Sequence, residues 1–127
     1  MIVGLGTDLC PVQRWHHLLD RFGDKAIHRI LHPEEAAWIL QGPETRRAER
    51  LAGRWALREA FGKALGVGLE GWSWRELRYR NGRLWVEGRL ADRLAHTGIH
   101  RIHGTVTHDQ GWALAFVILE SDVPPPN

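Results

Sequence analysis

Alanine, leucine, arginine and glutamate dominate the stretch from Glu44 to Leu65, and Gly66 stands directly after it. The first four are strong helix formers, and a glycine in that place ends a helix because it takes the left-handed conformation without a steric penalty. One long helix is predicted from Glu44 to Leu65, and the remaining segments have to be arranged around it.

Those segments are shorter and of both kinds. Met1 to Leu9 alternates as a strand, with Ile2, Gly4, Gly6 and Asp8 on one face and Val3, Leu5 and Thr7 on the other. Both glycines share the face of Asp8, which leaves room there for close approach to the backbone. Pro11 suits a first helical turn, and Val12 to Phe22 fits a helix ending at Gly23. Asp24 to His32 is ambiguous. His32-Pro33-Glu34-Glu35 opens a short helix, with acids at its positive end. Gly66-Val67-Gly68 begins a loop that runs to Trp72. Glu76–Arg80 and Arg83–Glu87 flank Asn81-Gly82, the pair that supplies the positive φ angles of a hairpin turn. Arg89 to His96 fits a helix with Gly98 beyond it. His100–His108 and Trp112–Glu120 read as strands joined by Asp109-Gln110-Gly111. Trp112 to Leu119 is apolar on both faces, so burial on both sides is predicted, one of them by another subunit.

Composition bounds the function. The 127 residues are one domain's worth, 43% hydrophobic and 25% charged, which excludes a disordered chain. A net charge of +2 argues against a duplex-coating protein, while a pI of 9.2 permits anionic partners. The single cysteine, Cys10, cannot form an internal disulfide, so a reducing compartment is expected. No membrane-spanning run or signal peptide is visible, and a cytoplasmic protein is expected. No repeat or linker divides the chain. A single domain over 1–121 with a disordered proline-rich tail over 122–127 is expected; the tail's prolines lack the amide a sheet ladder needs.

The long helix breaks its own pattern. At about 100° per residue, Glu59 and Lys63 fall in one sector with Ala52, Trp55 and Ala56. Four residues apart, they form either an ordinary exposed pair or a carboxylate and an ammonium facing a cleft. Arg47, Arg50, Arg54 and Arg58 occupy the opposite side, as a solvated charged face or as a surface for phosphate or acidic protein. Asp8 ends an apolar strand as a helix cap or as a metal ligand. Together with Glu59 it would suffice for magnesium, which takes oxygen ligands and keeps several waters. His108, in phase with Ile102, Gly104 and Val106, is either structural or functional. The other histidines lack metal-ligand spacing, which excludes a zinc site, and there is no Walker A loop. The seven tryptophans read as core and interface residues, with Trp72 and Trp74 covering a sheet edge. Cys10 reads as a packed thiol.

In order and spacing, Gly4-Leu5-Gly6-Thr7-Asp8-Leu9, then Arg14, then Leu51-Ala52-Gly53-Arg54-Trp55-Ala56-Leu57-Arg58-Glu59-Ala60-Phe61-Gly62-Lys63-Ala64-Leu65-Gly66, then Val106-Thr107-His108-Asp109 resemble the holo-acyl-carrier-protein synthases, the short class of phosphopantetheinyl transferases. The resemblance runs from Ile2 to Glu120. It implies an α+β fold with a long central helix packed on a small, mainly antiparallel sheet. It implies transfer of 4′-phosphopantetheine from coenzyme A to a serine of an apo acyl carrier protein, with release of adenosine 3′,5′-bisphosphate. It further implies Mg²⁺ on Asp8 and Glu59, with Lys63 at the reacting phosphates. Arg54 and His108 would meet the 3′-phosphate region, with Arg47 or Arg46 contributing. Arg14, assisted by Arg21, would meet the carrier protein, and a homotrimer with active sites between subunits would form. One departure stands out: where many family members carry lysine before the helix glutamate, this chain has Arg58, which is a poor proton donor or acceptor. Two other classes of function are compatible with parts of the pattern: a small RNA-binding module on the arginine face, and a magnesium-dependent phosphohydrolase using the same carboxylates.

Overall fold

In the structure, a computed structural model describing residues 1–66 and 72–122, strand β1 (Ile2–Pro11) leads into helices α1 (Val12–Phe22), α2 (Lys25–Ile30) and α3 (Pro33–Gln41). The long helix α4 (Arg47–Leu65) follows, then hairpin strands β2 (Leu77–Arg80) and β3 (Arg83–Val86), helix α5 (Gly88–Leu94), and strands β4 (Ile99–Asp109) and β5 (Trp112–Ser121). The five strands form one antiparallel sheet in the order β1-β5-β4-β3-β2. Residues 67–71 of the loop predicted from Gly66 to Trp72, and 123–127 of the tail predicted over 122–127, lie outside this description.

The alternation of β1 explains how α4 reaches the sheet. A Cβ on Gly6 would stand on the carbonyl of Ala60, and one on Gly4 on the carbonyl of Ala64. Glycine at both places lets the helix backbone lie directly against the strand. On the same layer, Ala113, Ala115, Val117 and Leu119 of β5 meet Leu51, Ala52, Ala56, Leu57 and Ala60 of α4 in a fully dry core. Small residues on both partners keep the two elements close, which is what delivers the residues flanking the contact to one another.

Four local readings change. The first turn of the long helix, Glu44–Arg46, is 3₁₀, and α-helix starts only at Arg47; a tightened turn is a common way to enter a helix after proline. Pro11 is not the first helical residue. It closes β1 opposite Trp112 with extended backbone (φ −73°, ψ 128°) and caps α1. Glu76 and Glu87 fall outside the hairpin, and Glu76 instead completes a capping box with Ser73. Ala95 and His96 lie beyond α5. The hairpin turn is as expected, with Asn81 at φ 51° and Gly82 at φ 77°.

The expectation that β5 is buried on both faces is not met within one chain. Its inner residues are dry, whereas Trp112 and Phe116 remain 47% and 43% exposed. On the neighbouring strand β1, Leu5 and Leu9, opposite Ile118 and Leu114, are exposed as well, at 64% and 56%. The long helix α4 packs on β1, β4 and β5 from the opposite side, that of the inner residues. Trp72 and Trp74 stack edge-on with each other and with Phe61 and Trp55 of α4, in a row that Trp15 of α1 extends, so their packing partner is the long helix.

Candidate active site

Asp8 follows Gly6 on the inner face of β1, so the strand that touches α4 at Ala60 presents its carboxylate beside the next helical turn. Lys63 Nζ lies 3.0 Å from Asp8 Oδ1 and 3.1 Å from the carbonyl of Thr7. Glu59, one turn earlier on α4, is half-buried beside them. Burial first, and then the negative charge of Asp8, push its carboxyl above the usual carboxylate range, while Lys63 and Arg14 pull it back. Asp8, Glu59, Lys63 and Arg14 thus gather from β1, α4 and α1 into one cluster. Arg14 and Arg21 are both exposed on α1.

The carboxylates of Asp8 and Glu59 together offer a hard, anionic oxygen pair. No group of three or more His, Cys, Asp or Glu side chains able to hold a metal occurs among the described residues. A cation that needs three or four protein ligands does not fit here. One that takes one or two carboxylates and fills its shell with water and phosphate does, and magnesium has that habit. Next to the cluster, Cys10 is buried and accepts a hydrogen bond from Trp15 Nε1 at 3.0 Å. Burial pushes its thiol up, which suits packing and not nucleophilic attack.

The other expected residues lie elsewhere. His108 sits over Gly53 of α4, where a Cβ would come within 2.9 Å of its Nε2, and the ring bonds the carbonyl of Glu49 at 3.0 Å. Arg47 is spent on Asp24 at 3.5 Å and on the carbonyl of Leu40 at 3.3 Å, and Arg46 pairs with Glu49 at 3.7 Å. Arg54 lies on the side of α4 facing α3 and β2. Within one chain, Arg54, His108 and Arg47 do not join the Asp8 cluster.

The arginine side of α4 is not the solvated face the spacing allowed. Arg58 is fully buried, and its guanidinium is consumed by Glu35, by the carbonyls of Trp74 and Leu77, and by that of Arg54. Arg54 is stacked between the rings of Trp38 and Tyr79, 4.3 and 4.7 Å from their centroids, and Arg50 stacks on Trp38 at 4.4 Å. Glu35 is the residue that reading the sequence missed. It is 3% exposed, meets Arg58 and Arg54, and accepts from the Tyr79 amide at 2.8 Å. Its signal was present, because Glu35 precedes Ile39 by one turn on the buried stripe of α3.

A five-stranded antiparallel sheet under one long helix, with paired acids and a lysine at the end of the contact, defines a phosphopantetheinyl transferase. The model of the 4′-phosphopantetheinyl transferase superfamily matches residues 4–117. The holo-[acyl-carrier-protein] synthase of Jannaschia sp. is 38% identical over 98% of this chain and 88% of its own. The crystal structure of the Neisseria meningitidis synthase superposes with a TM-score of 0.84 at 32% identity, covering 95% of this chain and all of that one. The Bacillus anthracis synthase in complex with CoA (3′,5′-ADP) gives 0.74 at 30% identity, over 96% and 99% of the two chains. The chain belongs to the holo-[acyl-carrier-protein] synthase family of phosphopantetheinyl transferases, and it is an enzyme of that class.

Proposed function

We propose that this chain transfers 4′-phosphopantetheine from coenzyme A to a serine of an apo acyl carrier protein at the Asp8–Glu59–Lys63 cluster, in a magnesium-dependent reaction that releases adenosine 3′,5′-bisphosphate. The observation that carries this reading is the convergence of Asp8, Glu59 and Lys63 from two elements distant in the chain, in a fold whose relatives are synthases of this kind.

The serine Oγ attacks the phosphorus that bears the pantetheine, the bond from that phosphorus to the bridging oxygen breaks, and the adenosine bisphosphate leaves. The pyrophosphate is highly charged, and the hydroxyl is a weak nucleophile while it keeps its proton. Lys63 offsets charge on the reacting phosphates. Glu59 takes the serine proton, directly or through a water. Asp8 and Glu59 are the residues that would hold magnesium, which would supply further neutralisation of charge on the phosphates and the leaving oxygen. Arg14, with Arg21 seven residues on along α1, meets the acidic carrier protein. Cys10 takes no part.

Arg54 and His108 bind the 3′-phosphate region, with Arg47 nearby. They lie away from the Asp8 cluster in one chain, so a complete site draws the two sets from neighbouring copies in a homotrimer. The uncovered apolar face around Leu5, Leu9, Trp112 and Phe116 supports such an assembly. The test is to incubate the protein with coenzyme A, Mg²⁺ and an apo carrier protein and to weigh the carrier. A gain of one phosphopantetheine, lost when Mg²⁺ is chelated, is expected. An unchanged carrier, or hydrolysis of coenzyme A with no carrier present, would overturn the reading.

A further inference from the structure

Arg58 and Arg54, four residues apart on α4, are treated in opposite ways by the fold. Every part of the Arg58 guanidinium is bonded in the interior. The Arg54 guanidinium makes no hydrogen bond to any described residue, its buried Nε included. It is held all the same. Trp38 and Tyr79 grip its flat faces, and Glu35 Oε1 stands 3.4 Å from its Nε. Stacking constrains the plane of a guanidinium and leaves its in-plane N–H groups available.

Beside this grip is a pocket of about 330 Å³, lined by Trp38, Arg54, Tyr79, Arg80 and Asn81, with Glu34 and Glu35 at its wall. Neither acid makes it hostile to an anion. Glu34 is paired with Arg78 at 3.0 Å, and the single charge of Glu35 is shared between Arg58 and Arg54, so with Arg80 the lining keeps an excess of positive charge. Trp38 does a second thing there. Arg50 and Arg54 are like charges one helical turn apart, an arrangement that costs energy on a bare helix. The indole lies against both guanidinium groups and offsets that repulsion.

We propose that Trp38 is a positioning residue, whose ring holds Arg54 oriented, with its donors unspent, to grip the 3′-phosphate of coenzyme A. This rests on the reading of Arg54 given above and adds the device that makes Arg54 ready. Trp38 is 41% exposed on the surface of α3, so replacing it leaves the core intact.

The experiment measures KM and kcat for carrier modification with coenzyme A and with coenzyme A lacking its 3′-phosphate, in wild type, Trp38→Leu, Trp38→Phe and Arg54→Ala. Trp38→Leu is expected to raise KM for coenzyme A about three- to tenfold, the range one partly exposed cation–π contact accounts for. It should leave kcat and the KM for the truncated substrate unchanged, and Trp38→Phe should restore most of the loss. If Arg54→Ala raises KM for coenzyme A and Trp38→Leu does not, the positioning role is wrong and the Arg54 reading stands. If Arg54→Ala does not alter the preference for the 3′-phosphate, the Arg54 reading fails and the role of Trp38 falls with it. An equal loss on both substrates in Trp38→Leu makes the residue merely structural and also overturns the proposal.

Discussion

Lys63 Nζ stands 3.0 Å from Asp8 Oδ1, a pairing that ties the last turn of α4 to the strand at the edge of the sheet. The lysine is 58% exposed and the aspartate 17%. An exposed pair of this kind contributes little to stability, so the lysine's value lies in the charge it holds at the site. Lys63→Ala is therefore expected to leave the urea midpoint almost unchanged and to lower kcat by about two orders of magnitude, the usual size of losing one preorganised charge at a reacting oxygen. Lys63→Arg should recover part of the rate. Steady-state kinetics on a carrier protein checks both.

Gly6 places α4. A methyl group there would meet the backbone of Ala60 and Ala64, and neither can move without breaking the helix. Gly6→Ala is expected to destabilise the fold by about 1–3 kcal/mol, as overpacking does, and to cost activity beyond that by moving Asp8 away from Glu59. Urea denaturation and kinetics on the surviving folded fraction separate the two effects.

Glu35 and Arg58 are a buried pair joined to three backbone carbonyls and one amide. Removing one partner strands the other charge in the interior, which costs about 3–5 kcal/mol. Arg58→Met is expected to show that loss in urea melts. Combining it with Glu35→Leu should recover a good part, because neither member of the pair then leaves its charge in the interior; the partly exposed Arg54 loses its contact with Glu35. A single-variant cost below about 1 kcal/mol would contradict the dry pairing, since a surface ion pair is worth that little.

Much of this was readable in the residues. The hairpin followed from Asn81-Gly82, the end of α1 from Gly23 and the end of α4 from Gly66, because each needs a positive φ that glycine or asparagine supplies. The glycines on the Asp8 face of β1 foretold a close neighbour. Spacing along α4 grouped Glu59 with Lys63, and Asp8 completes that cluster. The arginine side was misleading for a physical reason. Helical phase says which residues share a side but not what will cover it, and α3 with Tyr79 of β2 covers this one. One covering segment turned a row of like charges into a buried arginine, a stacked arginine and a half-exposed one. The two sides of β5 misled in the same way, since an apolar face is visible in sequence and its partner is not.

His103 and Glu120 face each other across β4 and β5. The hydrogen bond from His103 is the main cause that holds the Glu120 carboxyl below its ordinary value. A carboxyl depressed in the folded state stabilises the fold above its unfolded value, and that contribution is lost as pH falls through the folded value. His103→Ala is expected to raise the Glu120 midpoint toward the ordinary glutamate range, as followed by NMR of its carboxyl carbon. An unmoved midpoint would assign the depression to other charges.

The most direct measurement is the mass of an apo carrier protein after incubation with coenzyme A, Mg²⁺ and either the unaltered chain, Asp8→Ala or Glu59→Gln, with folding of each confirmed by circular dichroism. The unaltered chain should add one phosphopantetheine, and each variant should slow that addition by about a hundredfold or more, at least the loss seen when even an outer partner of a metal ligand is removed. Transfer by either folded variant at the unaltered rate would contradict the central claim, that these two carboxylates act together on one diphosphate.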